Sequence, residues 1–251
     1  MPPESEPHQV SIVETDRAEL RDPLVIMGFA GVGLVGGIAT THIIKHLKMR
    51  KIAHVRSRYI PPSVVFLEGE LRHPFRIYSD EEGKVCAIIS EVPLPSESSY
   101  PIASALLNWI EERGVRELVV FEGIPVKGMP KKRSPFCAAE PKKRKECEEK
   151  GVKMTSRGVI YGIVGSILNE CLTRKITGLA LLTPAVTFMP DPEGAVVLID
   201  ALNNIYNLRI DTQELADQGD KIRQTLKEIA ERYKRMRRNE ERRGVSERIY
   251  A

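Results

Sequence analysis

The sequence predicts an α/β domain with a mixed, largely parallel sheet, helices on both faces and a long C-terminal helix. Three observations predict it. Short unbroken apolar runs such as "PLVIMGF" and "ELVVFEGI" alternate with stretches whose apolar residues recur at helical spacing. Those runs lack a polar alternation, as strands buried on both faces require, and parallel sheets bury both faces. A hairpin-like region near residues 64–89, with a turn signal at Asp80 to Gly83, adds antiparallel strands to the sheet.

The elements follow in order. Residues 1–21 are polar at their start and read as a loosely ordered lead-in. The domain occupies residues 22–210. "PLVIMGF" is a buried strand bounded by Pro23 and Gly28, "LVGGIATTHIIKHLKM" a helix and "KIAHVRSRYI" a second strand. After the hairpin region, whose best strand is "KVCAIIS", comes the amphipathic helix "SSYPIASALLNWIEERG". Ile102, Leu106, Leu107 and Ile110 share its apolar face, and Gly114 is its stop signal. "VRELVVFEGI" is another strand. The stretch at 127–156 is basic, broken by Gly and Pro, and long for a connection, so it is expected outside the core. "GVIYGIVGSILNECLTRK" is a helix rich in small residues, "ITGLALLTPAV" a strand and "PEGAVVLIDALNNIYNL" a helix. Residues 211–243 read as one amphipathic helix with Leu215, Ile222, Leu226, Ile229 and Tyr233 along its stripe. Asp211 or Thr212 supplies its N-cap. Residues 244–251 form a flexible tail.

Composition narrows the function classes. Lys and Arg number 38 against 34 Asp and Glu, and the basic clusters are interleaved with acids and lack aromatic neighbours. That pattern favours solvated faces over a nucleic-acid site. No apolar run approaches the ~18 residues of a membrane span. The N-terminus lacks the pattern of a secretory signal, which predicts a cytoplasmic protein. The four cysteines include no C-x-x-C pair, so no zinc site is expected. Cys86 and Cys171 fall in core patterns. Cys137 and Cys147 stand ten positions apart in a charged stretch, and a disulfide between them is expected only where intracellular disulfides persist, as in hyperthermophiles.

The stretch "GFAGVGLVGG" holds Gly31, Gly33 and Gly36 in G-x-G-x-x-G spacing between a strand and a helix. In a dinucleotide site such glycines allow a tight turn, close approach of a pyrophosphate and close helix–strand packing. The second strand then ends in an acid that binds ribose hydroxyls. Here it offers Arg56 and Arg58, which would suit the 2′-phosphate of NADP. A purely structural strand-to-helix corner fits the same glycines and is the favoured reading. His42 and His46 share a helical face at i, i+4, but Ile43 stands where a metalloprotease carries Glu and no third ligand is evident. Glu91, Glu97 and Glu122 fall at or after strand ends, where α/β sheets place active sites. Ser98 and Ser99 read as a helix-capping pair. No nucleophile elbow or P-loop occurs. The residues therefore predict no catalytic group, cofactor or metal. The competing reading is an NADP- or nucleotide-binding enzyme using the glycine corner.

The last three residues are Ile249, Tyr250 and Ala251. An apolar residue, an amphipathic ring and a terminal carboxylate make a portable docking peptide for a slot that holds the ring and a positive group that holds the carboxylate. Together with "PLVIMGFAGVGLVGGIATTHII", "RYIPPSVVFLEGEL", "ISEVPLPSESSYPIASALLNWI" and "ELVVFEGIPV", this ending resembles the proteasome assembly chaperone family, in particular its archaeal Pba-type members. The resemblance runs from about Asp22 to Arg209. It implies a fold similar to purine nucleoside phosphorylase-like α/β proteins, a role that is not catalytic, and a homo-oligomer, tetramer or pentamer. It also implies that Ile249, Tyr250 and Ala251 insert between α subunits of the 20S proteasome. In some relatives the tail is instead held against its own oligomer and another adaptor is bound.

Overall fold

The computed structural model describes residues 10–16, 19–67, 69–115, 117–130, 132–187, 189–221 and 224. Its centre is a nine-stranded sheet. In spatial order the strands are β1 (Val10–Glu14), β3 (Arg50–Ser57), β6 (Phe75–Ser79), β7 (Val85–Ser90), β2 (Leu24–Phe29), β8 (Glu117–Val126), β11 (Thr177–Val186), β9 (Phe136–Ala139) and β10 (Lys153–Met154). β4 (Val65–Leu67) and β5 (Glu70–Arg72) form a separate ribbon. The four central strands β7, β2, β8 and β11 are parallel. Antiparallel pairings carry the sheet outward through β6, β3 and β1 on one flank and to β9 on the other. Four of the eight pairings are parallel, with β9–β10 the fourth, so the sheet is evenly mixed rather than largely parallel.

Helices cover both faces, as the periodicity predicts. α2 (Ser96–Glu111) and α4 (Gly162–Arg174) pack on one face, and α1 (Val35–His46) and α5 (Pro192–Tyr206) on the other. Val25, Met27 and Phe29 of β2 point to the α2–α4 layer and Ile26 to the α1–α5 layer, all buried. That two-sided burial is why the strand reads as an unbroken apolar run. α2 buries Ile102, Leu106, Leu107 and Ile110, and Gly114, with φ of 68°, closes the turn after it. Asp80 closes the β6–β7 turn by accepting N–H bonds from Lys84 and Val85.

Three expectations are corrected. The lead-in contains β1, whose five residues all pair with β3. β1 is fastened to α2 because Glu14 accepts from Trp109 Nε1 at 2.9 Å and pairs with Arg113, whose guanidinium lies over the Trp109 ring. The basic stretch at 127–156 does not lie outside the core. It supplies β9, β10 and α3 (Pro141–Glu149), and buries Cys137, Cys147 and Val152. Two of its cations, both with buried side chains, are matched by acids of the body. Lys143 meets Glu117 at 2.6 Å and lies over the Tyr206 ring, and Arg133 meets Asp191 at 2.9 Å. Ser98 and Ser99 are no capping pair. α2 starts before them at Ser96, and the Ser98 hydroxyl donates to the Pro95 carbonyl within the first turn. Of the C-terminal helix expected at 211–243, residues 213–221 are helical, with Asp211 Oδ1 accepting from Gln213 N at 3.0 Å. Beyond residue 224 the expected helix and tail fall outside the described residues.

Candidate functional site

The glycine stretch leaves β2 at the carboxyl end of the parallel strands, the end where open α/β sheets bind ligands. A short 3-10 turn (Val32–Leu34) joins β2 to α1. Gly33 sits at φ of 62°, and a Cβ there would meet Val186 O at 2.9 Å and the Asp191 side chain at 3.1 Å, so it would be strained and crowded. A Cβ on Gly36 would meet Phe121 O of β8 at 2.8 Å. The glycines therefore let the helix lie directly on the sheet.

The junction also holds an anion of its own. A Cβ on Gly31 would come within 2.6 Å of Glu122 Oε1, so that carboxylate lies where a pyrophosphate would approach. Glu122 accepts the N–H of Gly123 at 2.8 Å and that of Val32. Burial pushes its carboxyl above the usual carboxylate range, with the two backbone bonds pulling the other way. Arg56 and Arg58 are not brought to this corner. Arg56 near the carboxyl end of β3 and Arg58 just beyond it are displaced sideways, because β6 and β7 stand between β3 and β2, a separation of about 14 Å. The tertiary arrangement favours the structural corner over the dinucleotide reading.

The remaining strand-end acids are dispersed. Glu91 pairs with the buried Arg76 at 2.7 Å, and Glu97 is exposed in the first turn of α2. Neither joins Glu122 in a paired-carboxylate arrangement. A cleft of about 650 Å³ opens beside Glu122, walled by Val32, Ile124, Val159, Tyr161 and Leu182. A second, of about 430 Å³, lies between α1 and the start of the C-terminal helix. Leu34, with left-handed φ of 53° and 42% exposed, stands at its mouth.

That second groove marks where the C-terminal segment is rooted. His42 Nε2 contacts the Asp211 carbonyl at 2.6 Å, and Lys45 Nζ pairs with Glu214 at 2.9 Å. Leu215 is buried in the α1–α5 layer. His42 and His46 stack 6.2 Å apart, and among the described residues no cluster of three or more metal-ligating side chains occurs. His42 anchors the C-terminal segment, and His46 is exposed beside it. Nothing in local spacing marks Lys45 or Glu214, because the two are 169 residues apart and meet only through the fold. A stacked pair also escapes the sequence: His54 and His73 lie 3.7 Å apart, and burial, then neighbouring positive charge, pushes both below the usual histidine range. Ile249, Tyr250 and Ala251 lie outside the described residues.

No helix among the described residues is long and apolar enough to cross a membrane. Comparison with known proteins places this architecture. A crystal structure of a Thermoplasma acidophilum protein of unknown function is 39% identical and aligns over 89% of this chain and 92% of that one, with a TM-score of 0.76. PbaA of Pyrococcus furiosus, described as an archaeal homolog of a proteasome-assembly chaperone, is 27% identical over 94% of this chain and 97% of its own, with a TM-score of 0.82. PbaB of the same organism, described as an archaeal proteasome activator, shares the fold at 23% identity and a TM-score of 0.79, covering 89% of this chain and 99% of its own. The model of the PAC2 family matches residues 25–230, from the first central strand past the root of the C-terminal helix, and the chain belongs to that family.

Proposed function

We propose that this protein is a non-enzymatic assembly chaperone or activator of the 20S proteasome that works as a homo-oligomer. Its C-terminal Ile249, Tyr250 and Ala251 dock between α subunits of the core particle. The observation that carries this reading is membership of the PAC2 family across nearly the whole domain, together with likeness to PbaA. Two features of the chain support it. Glu122 and packed backbone stand against Gly31, Gly33 and Gly36 where a pyrophosphate would approach, which favours the C-terminal segment as the candidate for function. The base of that segment is tied to α1 through His42 and Lys45, so the tail has a firm origin. Tyr250 suits a slot that is apolar along its walls and polar at its end, and the terminal carboxylate suits a lysine.

The test compares the full chain with one lacking residues 249–251, for binding to 20S particles and for their peptide hydrolysis. Loss of binding with unchanged thermal unfolding is expected. Equal binding by the two proteins would refute tail docking. A thermal shift with NADPH that disappears in a folded Gly33→Val variant would favour the nucleotide-binding competitor instead.

A further inference from the structure

Residues 127–156 hold a pair of thiols that neither the glycine junction nor the tail uses. Cys137 of β9 and Cys147 of α3 are both buried, and Cys137 Sγ donates to Cys147 Sγ at 3.4 Å. The two sulfurs are held by elements of unequal firmness. Cys137 is fixed in the sheet, opposite Leu181 of β11 and Met154 of β10, and its carbonyl accepts from Thr155 N at 3.1 Å. Cys147 stands on a lightly attached helix. Of the nine residues of α3, Lys143 and Cys147 are the two that are buried, one turn apart on the same face. The inner face of α3 is therefore one ion-paired ammonium and one thiol. The strand that follows, β10, is two residues long and lies at the edge of the sheet.

Two thiols in contact can close to a disulfide. The bond needs sulfurs about 2.05 Å apart, so closure brings these two together by about 1.4 Å. The pair is also asymmetric. The hydrogen bond from Cys137 and the charge of Lys143 hold the Cys147 thiol below the usual thiol range, against the opposing effect of burial. The same hydrogen bond and burial push Cys137 above that range. Cys147 is thus the nucleophile and Cys137 the thiol that resolves it. Cys86 and Cys171 lie in the other core layer, and burial pushes both their thiols up, Cys171 to about 12. A helix with so little buried surface opens locally at small cost, and opening admits an oxidant as small as hydrogen peroxide.

We propose that Cys137 and Cys147 form a modification site, a dithiol that hydrogen peroxide converts to an intrachain disulfide and a dithiol reductant restores. The Cys147 thiolate attacks one peroxide oxygen and the O–O bond breaks. Cys147 becomes a sulfenic acid, and the departing hydroxide takes up the proton that its thiol had released. The Cys137 sulfur then attacks the Cys147 sulfur, the S–O bond breaks, and hydroxide leaves with the Cys137 proton as water. Two thiols and one peroxide give one disulfide and two waters. The disulfide gives α3 a covalent anchor on β9 and so stiffens the edge of the sheet. The site goes beyond the chaperone reading above and rests on neither proteasome docking nor oligomer formation.

The test uses the full chain, reduced and then cleared of reductant, with hydrogen peroxide as the oxidant. Remaining thiols are alkylated in denaturant and the peptides are weighed. The expected result is a Cys137–Cys147 link with Cys86 and Cys171 still alkylated. The thermal midpoint should rise by about 5 °C and return on adding dithiothreitol. Cys137→Ser should leave a Cys147 sulfenic acid that dimedone traps, and Cys147→Ser should leave Cys137 unoxidised. A chain that keeps all four thiols at peroxide concentrations that oxidise free cysteine would overturn the proposal. So would a link made through Cys86 or Cys171, or a linked chain with an unchanged or lower midpoint. Peptide masses of the wild type need no variant, so a serine variant that fails to fold leaves the test standing. Because these readouts contain no core particle, their failure is separable from failure of tail docking.

Discussion

Glu122 shows how one residue changes meaning with its surroundings. At the end of a strand it has the position of a catalytic acid. Its carboxyl spends its hydrogen bonds on two backbone amides of the glycine junction and is largely shielded from water. Its folded-state pKa lies above the unfolded one, so the folded protein holds the proton to higher pH. Stability therefore falls as pH rises through that window, and the penalty is complete above the folded pKa. Glu122→Gln keeps an oxygen acceptor and removes the charge. We expect it to be more stable than wild type at neutral pH, with the difference vanishing as pH falls toward the ordinary carboxylate range. Urea unfolding of both proteins from pH 7.5 to pH 4 measures it; a constant difference would mean that Glu122 does not titrate in that window. The glycine spacing was legible in the sequence. The identity of the group it accommodates was not, because Glu122 lies about 90 positions from Gly31 and meets it only where β2 and β8 are neighbours.

Among the elements, the stretch at 127–156 departs furthest from its composition. Its basic residues suggest a solvated loop, yet β9 pairs with β11 and Cys137 and Cys147 are buried with their sulfurs 3.4 Å apart. The attachment rests on matched charge. Arg133, its side chain 6% exposed, reaches Asp191 at 2.9 Å, and Asp191 caps α5 by accepting from Gly194 N. Removing one partner of a buried pair leaves the other uncompensated. Arg133→Met should therefore cost about 3 kcal/mol in denaturant unfolding, whereas Lys132→Met, on an exposed neighbour, should stay within about 0.5 kcal/mol. Equal small effects would mean that the segment is held by its strands alone. Sequence patterning misses such an element because a buried cation and a solvated one look alike until the partner acid is placed. The same limit hides β1, a half-buried edge strand whose Glu14 gains its purpose from Trp109 and Arg113.

For the whole molecule, the proposed activity joins a body that associates to tails that dock. One tripeptide offers little area, and binding strength would come from several tails reaching several pockets on one ring. Linked contacts multiply affinity by roughly 10² to 10⁴. A synthetic peptide of residues 244–251 should accordingly bind 20S particles at least about a hundredfold more weakly than the intact oligomer, and should compete with it at high concentration. Competition titration measures both. A peptide as strong as the full protein would show that the body adds nothing but a carrier.

The sequence by itself determined the alternation of strands and helices, the two-sided burial of the central strands and the glycine corner, because each depends on patterns a few residues long. It also carried the family resemblance, since those local patterns stand in a characteristic order. Only the tertiary structure decided the even mixture of parallel and antiparallel pairing, the anion seated in the glycine corner, the matched cations of residues 127–156 and the anchoring of Asp211 and Glu214 on α1. Each of these joins groups far apart in the chain, and their energies exist only when folding brings charge to charge and backbone to backbone.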